Sequence, residues 1–259
     1  MRLGICERVP RRGLTLLAIL AGAFLAASGG AEARGPTSTA TLTPAPGRTA
    51  LLSNERTLSR WAYVLRPALA RRAPDVHAAT VLKLEPWTLD NTPELVLLLK
   101  QHTARDGAPW VLARLPMRPN GKLGWLPRSA LGRFHVVRTN LVIDRATFSA
   151  VLYRSGHPIW RAPIGIGKPS TPTPTGIFYV RERLVPRDPN TIYGIFAFGT
   201  SGYSPTLTDW PEGGVIGIHG TNQPQFIPGA ISHGCVRLRN QDVARLRQLM
   251  GLGTPIRIM

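Results

Sequence analysis

Short apolar runs separated by Pro, Gly, Asn and Asp restrict the fold of this chain more than any other feature. Most of these runs are five or six residues long, the length of a β-strand, and the 24 Pro and 26 Gly residues break up helical periodicity. The clearest runs in the first half lie at residues 61–65, 80–84, 95–99 and 110–114. Strand-like runs resume after Gly132, at residues 134–139, 140–144, 149–153 and 157–166. We therefore predict a mostly β protein with two β-rich domains, at residues 59–132 and 133–259.

The first domain ends in a hairpin pattern. Residues 110–114 and 124–127 flank Pro119-Asn120-Gly121, and an Asn-Gly pair tolerates the positive φ of a tight turn. This ending resembles that of bacterial Src-homology-3-like wall domains, which implies a small β-barrel-like domain. Its aromatic residues can form either a ligand platform or core, and we favour core; they are Trp61, Trp110 and Trp125.

One helix is predicted in the second domain. Asn240 can cap its start, and Gly251 can end it. Val243, Leu246 and Leu249 recur at helical spacing and give it one apolar face.

The N-terminal residues 1–33 have the pattern of a secretory signal peptide. A basic stretch with four Arg precedes the apolar run 14–27, and Ala31-Glu32-Ala33 follows as a cleavage site. That run falls short of the roughly 20 residues of a spanning helix, and no later segment is long and apolar enough. Residues 34–58, rich in Pro, Thr and Ala, are predicted to be a flexible linker. We expect export to the periplasm or cell wall, with no membrane span after cleavage.

Cysteine content and charge narrow the function. Cys6 would be lost with the signal peptide, so Cys235 remains alone and no mature intramolecular disulfide can form. The formal net charge of +18 favours anionic partners. Because the basic residues are scattered and the chain is exported, anionic wall polymers or membrane headgroups fit better than nucleic acid.

Two segments, residues 214–222 and 231–238, carry the residues suited to nucleophilic catalysis. Cys235 follows His219 by 16 residues, and a histidine within reach of a cysteine can take its proton and stabilise the thiolate. His219 ends an apolar strand-like run, which is a rigid place for a base. His233 would point the same way as Cys235 in an extended segment, and we expect it to have a supporting role. Gly234 would let neighbouring amides turn toward one point and form an oxyanion hole.

Two other interpretations of these residues exist. Cys235 could be a buried, inert cysteine, or it could bind zinc with His219 and His233. Zinc sites usually contain close ligand pairs such as C-x-x-C, which are absent, and the one-residue spacing of His233 and Cys235 is awkward for chelation. We expect no metal.

His219, followed after a loop by Ser232-His233-Gly234-Cys235-Val236-Arg237, resembles the signature of the YkuD-type L,D-transpeptidase catalytic domain. The resemblance runs from about Phe134 to Met259 and includes the blocks 163–167, 171–176 and 217–221. It implies a β-sandwich-like catalytic domain.

The resemblance also implies a reaction. Family members attack the amide between the third and fourth residues of a peptidoglycan tetrapeptide stem, release terminal D-alanine, and transfer the acyl group to the diamino acid of an acceptor stem. Carried over, Cys235 would form the thioester and His219 would exchange protons, with the Gly220 carbonyl orienting its ring. Ser232 and the amides near Gly234 would support the oxyanion. The resemblance implies no cofactor, and carbapenems should acylate the thiol.

Substrate contacts are less defined. Some family members have Asn two residues after the cysteine, where this chain has Arg237, which would either form a salt bridge beneath the site or contact a stem carboxylate. Asn222 is a second candidate for substrate binding. Four aromatic residues before His219 could form a lid or ordinary packing; they are Tyr193, Phe198, Tyr203 and Trp210.

Four alternative functions compete with cross-linking. The same acyl-enzyme would give an L,D-carboxypeptidase if water attacked it. A sortase does not fit the SHGC block, and NlpC/P60 peptidases place the cysteine before the histidine. A non-catalytic wall-binding protein is the alternative from a different class.

Overall fold

A computed structural model describes residues 43–209 and 214–259 of the chain, and these lie in one compact unit. They form two β-sheets and one α-helix, so the prediction of a mostly β protein is confirmed. Within the described residues, no helix is long and apolar enough to cross a membrane. The predicted signal peptide and residues 34–42 of the predicted linker lie outside the described residues.

The first sheet contains eight strands. They are β1 Thr49–Leu51, β2 Ser59–Tyr63, β3 Ala68–Arg71, β4 Thr80–Leu84, β5 Leu95–Thr103, β6 Pro109–Arg114, β7 Leu123–Pro127 and β8 His135–Val137. The hydrogen-bonded order is β4-β3-β7-β6-β5-β2-β8, and β1 pairs with the distal part of β5. Alternate side chains of the central strands point to one face and form a core that includes Ala62, Val96, Leu98, Val111 and Leu126.

The prediction of a flexible linker up to residue 58 is wrong for its described part. Thr49–Leu51 forms antiparallel pairs with β5, and Leu52 and Ser53 are buried. The Ser53 hydroxyl also donates to the Leu98 carbonyl. A partner strand about 50 residues further along the chain orders this segment, and its composition alone did not reveal that partner.

The second sheet contains ten strands. They are β9 Thr139–Asp144, β10 Ser149–Arg154, β11 His157–Pro163, β12 Gly165–Gly167, β13 Gly176–Leu184, β14 Ala197–Tyr203, β15 Val215–His219, β16 Gly229–Ser232, β17 Val236–Arg237 and β18 Pro255–Ile258. Their order is β11-β10-β9-β18-β13-β14-β15-β17-β12-β16. The parallel pairing of β15 with β17 places His219 opposite Arg237, so residues distant in sequence meet at one end of the sheet.

Helix α1, Asn240–Leu249, packs Val243 and Leu246 against the core of the second sheet. Each such fully buried aliphatic side chain stabilises the fold by about 1.5–3 kcal/mol. The helix begins one residue after Arg239 with no side-chain cap, so the prediction that Asn240 caps it is wrong. Asn240 instead accepts hydrogen bonds from a different part of the chain, near His219.

The chain passes from the first sheet to the second at Arg138. Strand β8 before it pairs with β2 of the first sheet, and β9 after it pairs with β10 of the second sheet. A shared apolar cluster joins the sheets through Trp61, Leu97 and the fully buried Tyr179. The Tyr179 hydroxyl donates to the Leu95 carbonyl at 3.2 Å. Buried packing and polar contacts therefore hold the two sheets against each other.

Two further contacts between the sheets involve carboxylates. Glu94, which immediately precedes β5 of the first sheet, forms a buried ion pair with Arg181 of β13 through two hydrogen bonds. Thr92 donates to the carboxylate of Glu182 at 2.8 Å.

Candidate active site

Cys235 lies between β16 and β17 with its side chain partly buried. Its Sγ accepts a hydrogen bond from the main-chain amide of Gly217 at 3.3 Å. A Cβ built on Gly217 would lie 3.8 Å from Sγ and 3.6 Å from Cδ2 of His219, so thiol and imidazole flank the same point. Both side chains line one cavity of about 530 Å³, part of it open to solvent. The fold therefore brings together the two residues expected to be catalytic.

His219, the last residue of β15, is 2% exposed. Its Nδ1 lies 2.6 Å from the Gly220 carbonyl oxygen, which can only accept a hydrogen bond. Nδ1 therefore carries the hydrogen, and Nε2 keeps the lone pair that can accept a proton. The carbonyl of Gly220 thus orients the ring as the family resemblance implied.

Burial lowers the pKa of His219 from 6.5 to about 4. The positive charge of Arg237 also lowers this pKa, whereas hydrogen bonds to the carbonyls of Gly220 and Ile192 raise it. The Tyr193 ring lies 5.0 Å from the imidazole, centroid to centroid, and helps to enclose it. At neutral pH the imidazole is uncharged and is able to act as a base.

The turn that carries Cys235 is fixed by hydroxyl groups. Ser232 Oγ donates to the Cys235 carbonyl at 2.6 Å and accepts from the Gly234 amide at 3.1 Å. Thr173 Oγ1 donates to the Gly234 carbonyl at 2.7 Å and accepts from the Gly167 amide at 2.9 Å. Because its amide is bonded to Ser232, Gly234 does not supply the free oxyanion donor that we expected. The hydrogen bonds of Ser232 fix the turn itself, and a role for Ser232 at the oxyanion stays a prediction.

Gly234 is required by the backbone of this turn. Its φ is +120°, and a Cβ there would lie 3.0 Å from the Ile216 side chain. His233 is exposed and lies in a bend, so the expectation of an extended segment with His233 parallel to Cys235 is wrong. His233 nevertheless lines the same cavity as Cys235.

Arg237 is 5% exposed and lines the cavity. Its Nη1 donates to Gln223 Oε1 at 3.3 Å, and burial lowers its pKa. Among the residues that the structure describes, no carboxylate pairs with Arg237, and its buried Nε has no hydrogen-bond partner. The interpretation as a salt bridge beneath the site is therefore wrong.

Asn222 lies outside the residues that line the cavity. Its side chain is exposed and donates to the Asn190 carbonyl at 2.7 Å, which ties two loops together. Of the four aromatic residues considered for a lid, Tyr193 lines the cavity and Phe198 is fully buried core. Tyr203 ends β14, and Trp210 lies outside the described residues.

Asn240, which we predicted to be a helix cap, instead supports the site. Its Oδ1 accepts from the amides of Thr221 at 3.1 Å and Ile195 at 3.4 Å. A Cβ on either Gly194 or Gly220 would lie only 2.2 Å from this oxygen. Asn240 thus packs between the two backbone segments whose carbonyls contact His219. A single sequence shows only a residue type suited to a cap, so no local signal distinguishes this role.

Zinc was the alternative use of this cluster. Over residues 43–209 and 214–259, no group of three His, Cys, Asp or Glu side chains is placed to hold a metal ion.

The model of the L,D-transpeptidase catalytic domain, YkuD, matches residues 138–258. Those residues belong to the YkuD family. The matched range begins where β8 ends and includes every residue of the candidate site. The YkuD domain thus corresponds to the second sheet and α1.

Known relatives carry the same name. The chain is 38% identical over 96 residues to the L,D-transpeptidase YkuD of Bacillus subtilis strain 168. This match covers 37% of this chain and 51% of that protein. It is 30% identical over 112 residues to L,D-transpeptidase 1 of Mycobacterium tuberculosis H37Rv, covering 41% and 44%. The chain therefore spans about half the length of these relatives.

Among solved structures, Bd1075 of Bdellovibrio bacteriovorus is 32% identical with a TM-score of 0.38, and the match covers 47% of each chain. The N-terminal sheet lies outside the residues that the YkuD model matches. Its resemblance to Src-homology-3-like domains stays a prediction.

Proposed function

We propose that this protein is a peptidoglycan L,D-transpeptidase that cross-links the diamino acids of stem peptides through a thioester on Cys235. One observation carries the proposal. A cysteine and a buried, neutral histidine line one cavity within a YkuD domain, and both side chains lie close to Gly217. A neutral imidazole beside a thiol is the arrangement that nucleophilic acyl transfer needs.

In the first half-reaction, His219 Nε2 accepts the thiol proton of Cys235. The thiolate attacks the carbonyl carbon between the third and fourth residues of a donor tetrapeptide. The Gly217 amide, 3.3 Å from Sγ, stabilises the thiolate before attack. The C–N bond then breaks, His219 returns its proton to the leaving amine, and D-alanine departs as the thioester forms.

In the second half-reaction, the side-chain amine of an acceptor stem's diamino acid attacks the thioester carbonyl. His219 accepts the amine proton, the C–S bond breaks, and the thiolate recovers that proton. In both tetrahedral intermediates the amide of Cys235 is the proposed oxyanion donor, because the Gly234 amide is bonded to Ser232. The chemistry is complete with amino-acid side chains and needs no cofactor.

Arg237 is the proposed anchor for a carboxylate of the donor stem. Arg237 lines the cavity, it has no carboxylate partner within the described part of the chain, and its buried Nε has no hydrogen-bond partner. A planar guanidinium can bind a carboxylate through two parallel hydrogen bonds. The positive charge would also draw an anionic stem peptide toward the thiol. A substrate contact by Asn222 stays a weaker proposal, since it lies outside the cavity lining.

The substrate implies a location outside the cytoplasmic membrane. The signal-like sequence of residues 1–33 supports export to the periplasm or wall. The formal net charge of +18 further supports contact with anionic wall polymers.

The test uses the protein from residue 34 onward and a Cys235→Ala variant, each incubated with disaccharide-tetrapeptide. Intact-protein mass and released products are followed together. We expect an acyl adduct, free D-alanine and dimeric muropeptide, all dependent on Cys235. Tripeptide without dimer would replace the proposal with L,D-carboxypeptidase activity. Absence of any adduct, although a carbapenem still acylates Cys235, would refute the tetrapeptide as donor, and no adduct with either compound would indicate a non-catalytic wall-binding protein.

A further inference from the structure

Three residues of the cavity wall come from the chain that follows β14: Ser204, Leu207 and Gly214. The segment linking β6 to β7, residues 115–122 of the first sheet, contacts this wall. We infer that Arg118 and Asn120, from the N-terminal sheet, are positioning residues that set the shape of the substrate-binding wall beside Cys235. The inference rests on the proposed function for the identity of the substrate.

Asn120 binds both main-chain groups of Tyr203, the residue just before the wall. Its Nδ2 donates to the Tyr203 carbonyl at 2.8 Å, and its Oδ1 accepts from the Tyr203 amide at 2.9 Å. One side chain thus pairs with Tyr203 as a neighbouring strand would. The Tyr203 hydroxyl donates to the Pro116 carbonyl at 3.1 Å, so the same connection holds both ends of this residue.

Arg118 holds the wall residues themselves. Its Nη2 donates to the Ser204 carbonyl at 3.2 Å and to the Leu207 carbonyl at 3.1 Å. Its guanidinium carbon lies 4.8 Å from the centroid of the Tyr203 ring. A Cβ on Gly214 would lie 2.9 Å from Nη2, so the third wall residue packs directly against the same guanidinium.

Hydrogen bonds connect the three wall residues to one another. The Ser204 amide donates to the Gly214 carbonyl at 2.8 Å, and the Leu207 amide donates to Ser204 Oγ at 3.0 Å. Arg118 forms no ion pair within the described residues, so its charge is directed at wall carbonyls. Without Arg118, those carbonyls would lose a charged donor and could turn toward the cavity.

Neither residue lines the cavity or contacts the thiol or imidazole. Their loss should therefore weaken substrate binding and leave the intrinsic reactivity of Cys235 unchanged. A general loosening of the contact between the sheets would have a different signature. Tyr179→Phe provides that comparison, because it removes a bond between the sheets, to the Leu95 carbonyl, at a residue outside the cavity lining.

The experiment compares Arg118→Ala, Arg118→Lys and Asn120→Ala with wild type and Tyr179→Phe. Three quantities are measured: KM and kcat for tetrapeptide, the alkylation rate of Cys235 by iodoacetamide, and hydrogen exchange of the amides of Tyr203 and Leu207. We expect KM and amide exchange to rise about tenfold in the alanine variants, the change for losing one charged hydrogen bond at Arg118 or two neutral ones at Asn120. The kcat and alkylation rate should stay within about twofold of wild type.

Arg118→Lys keeps the positive charge but loses the planar guanidinium with its several donors. Values of KM and amide exchange between those of wild type and Arg118→Ala would further support a positioning role. Equal KM and exchange in Arg118→Ala, Asn120→Ala and Tyr179→Phe would overturn the inference. A fall in kcat or alkylation rate without a change in KM would also overturn it. If wild type does not turn over tetrapeptide, the proposed function fails, and the exchange rates alone decide whether Arg118 and Asn120 order the wall.

Discussion

The buried state of His219 makes the stability of the protein depend on pH. The pKa of this histidine is lowered from 6.5 to about 4, chiefly by burial. Between these values the unfolded chain binds a proton that the folded chain does not, so stability falls as pH decreases through this window. From about pH 7.5 to about pH 5, His219 alone should lower the free energy of unfolding by about 2 kcal/mol. The full loss, reached below about pH 4, is about 3 kcal/mol.

The assay is urea unfolding at the two pH values for wild type and His219→Asn. The asparagine Nδ2 can still donate to the Gly220 carbonyl, as Nδ1 does now. The variant should lose about 2 kcal/mol less than wild type over this pH interval, since all other titrating groups are common to both proteins. Exposed His157→Asn is the matched control for removing a histidine. If wild type and His219→Asn show the same pH dependence, the argument from burial is refuted.

Two further outcomes follow from buried polar contacts. Asn240→Ala should lower kcat about tenfold, because Oδ1 no longer holds the Thr221 and Ile195 amides beside His219. Iodoacetamide should still label Cys235 completely. An unchanged kcat would show that the His219 imidazole is held in place without Asn240. Glu94→Ala should lower the free energy of urea unfolding by about 3–5 kcal/mol, because it leaves the charge of Arg181 buried without its partner; a loss below about 1 kcal/mol would mean that water reaches this ion pair.

The sequence allowed us to predict that His219 and Cys235 share one site, because the signals of both residues are local. His219 ends an apolar run, and Cys235 lies in a short block whose residue types have few other uses together. The strand content was equally accessible, since each run between Pro and Gly is too short for a helix. Helix α1 was predicted from the helical spacing of Val243, Leu246 and Leu249.

Two of the incorrect predictions, the linker up to residue 58 and the Asn240 cap, share a cause, which is contact between residues far apart in the chain. Thr49–Leu51 looks like linker until β5 supplies its partner strand. Asn240 has the residue type of a helix cap, yet its oxygen is bonded to an amide 19 residues earlier. Thr173 fixes the Gly234 carbonyl from 61 residues away. Composition and periodicity report on neighbours in sequence, so such partners emerge only when the fold is known.

The burial of Tyr179 bears on how this architecture could be exchanged during evolution. It is fully buried, and its hydroxyl is bonded to the first sheet. Arg181 on the same strand needs Glu94, and Tyr203 needs Asn120. The surface of the YkuD domain that contacts the first sheet is thus specific for this particular N-terminal sheet. Recombination that attached it to a different module would have to replace these side chains at the same time, so the two halves are expected to be inherited together.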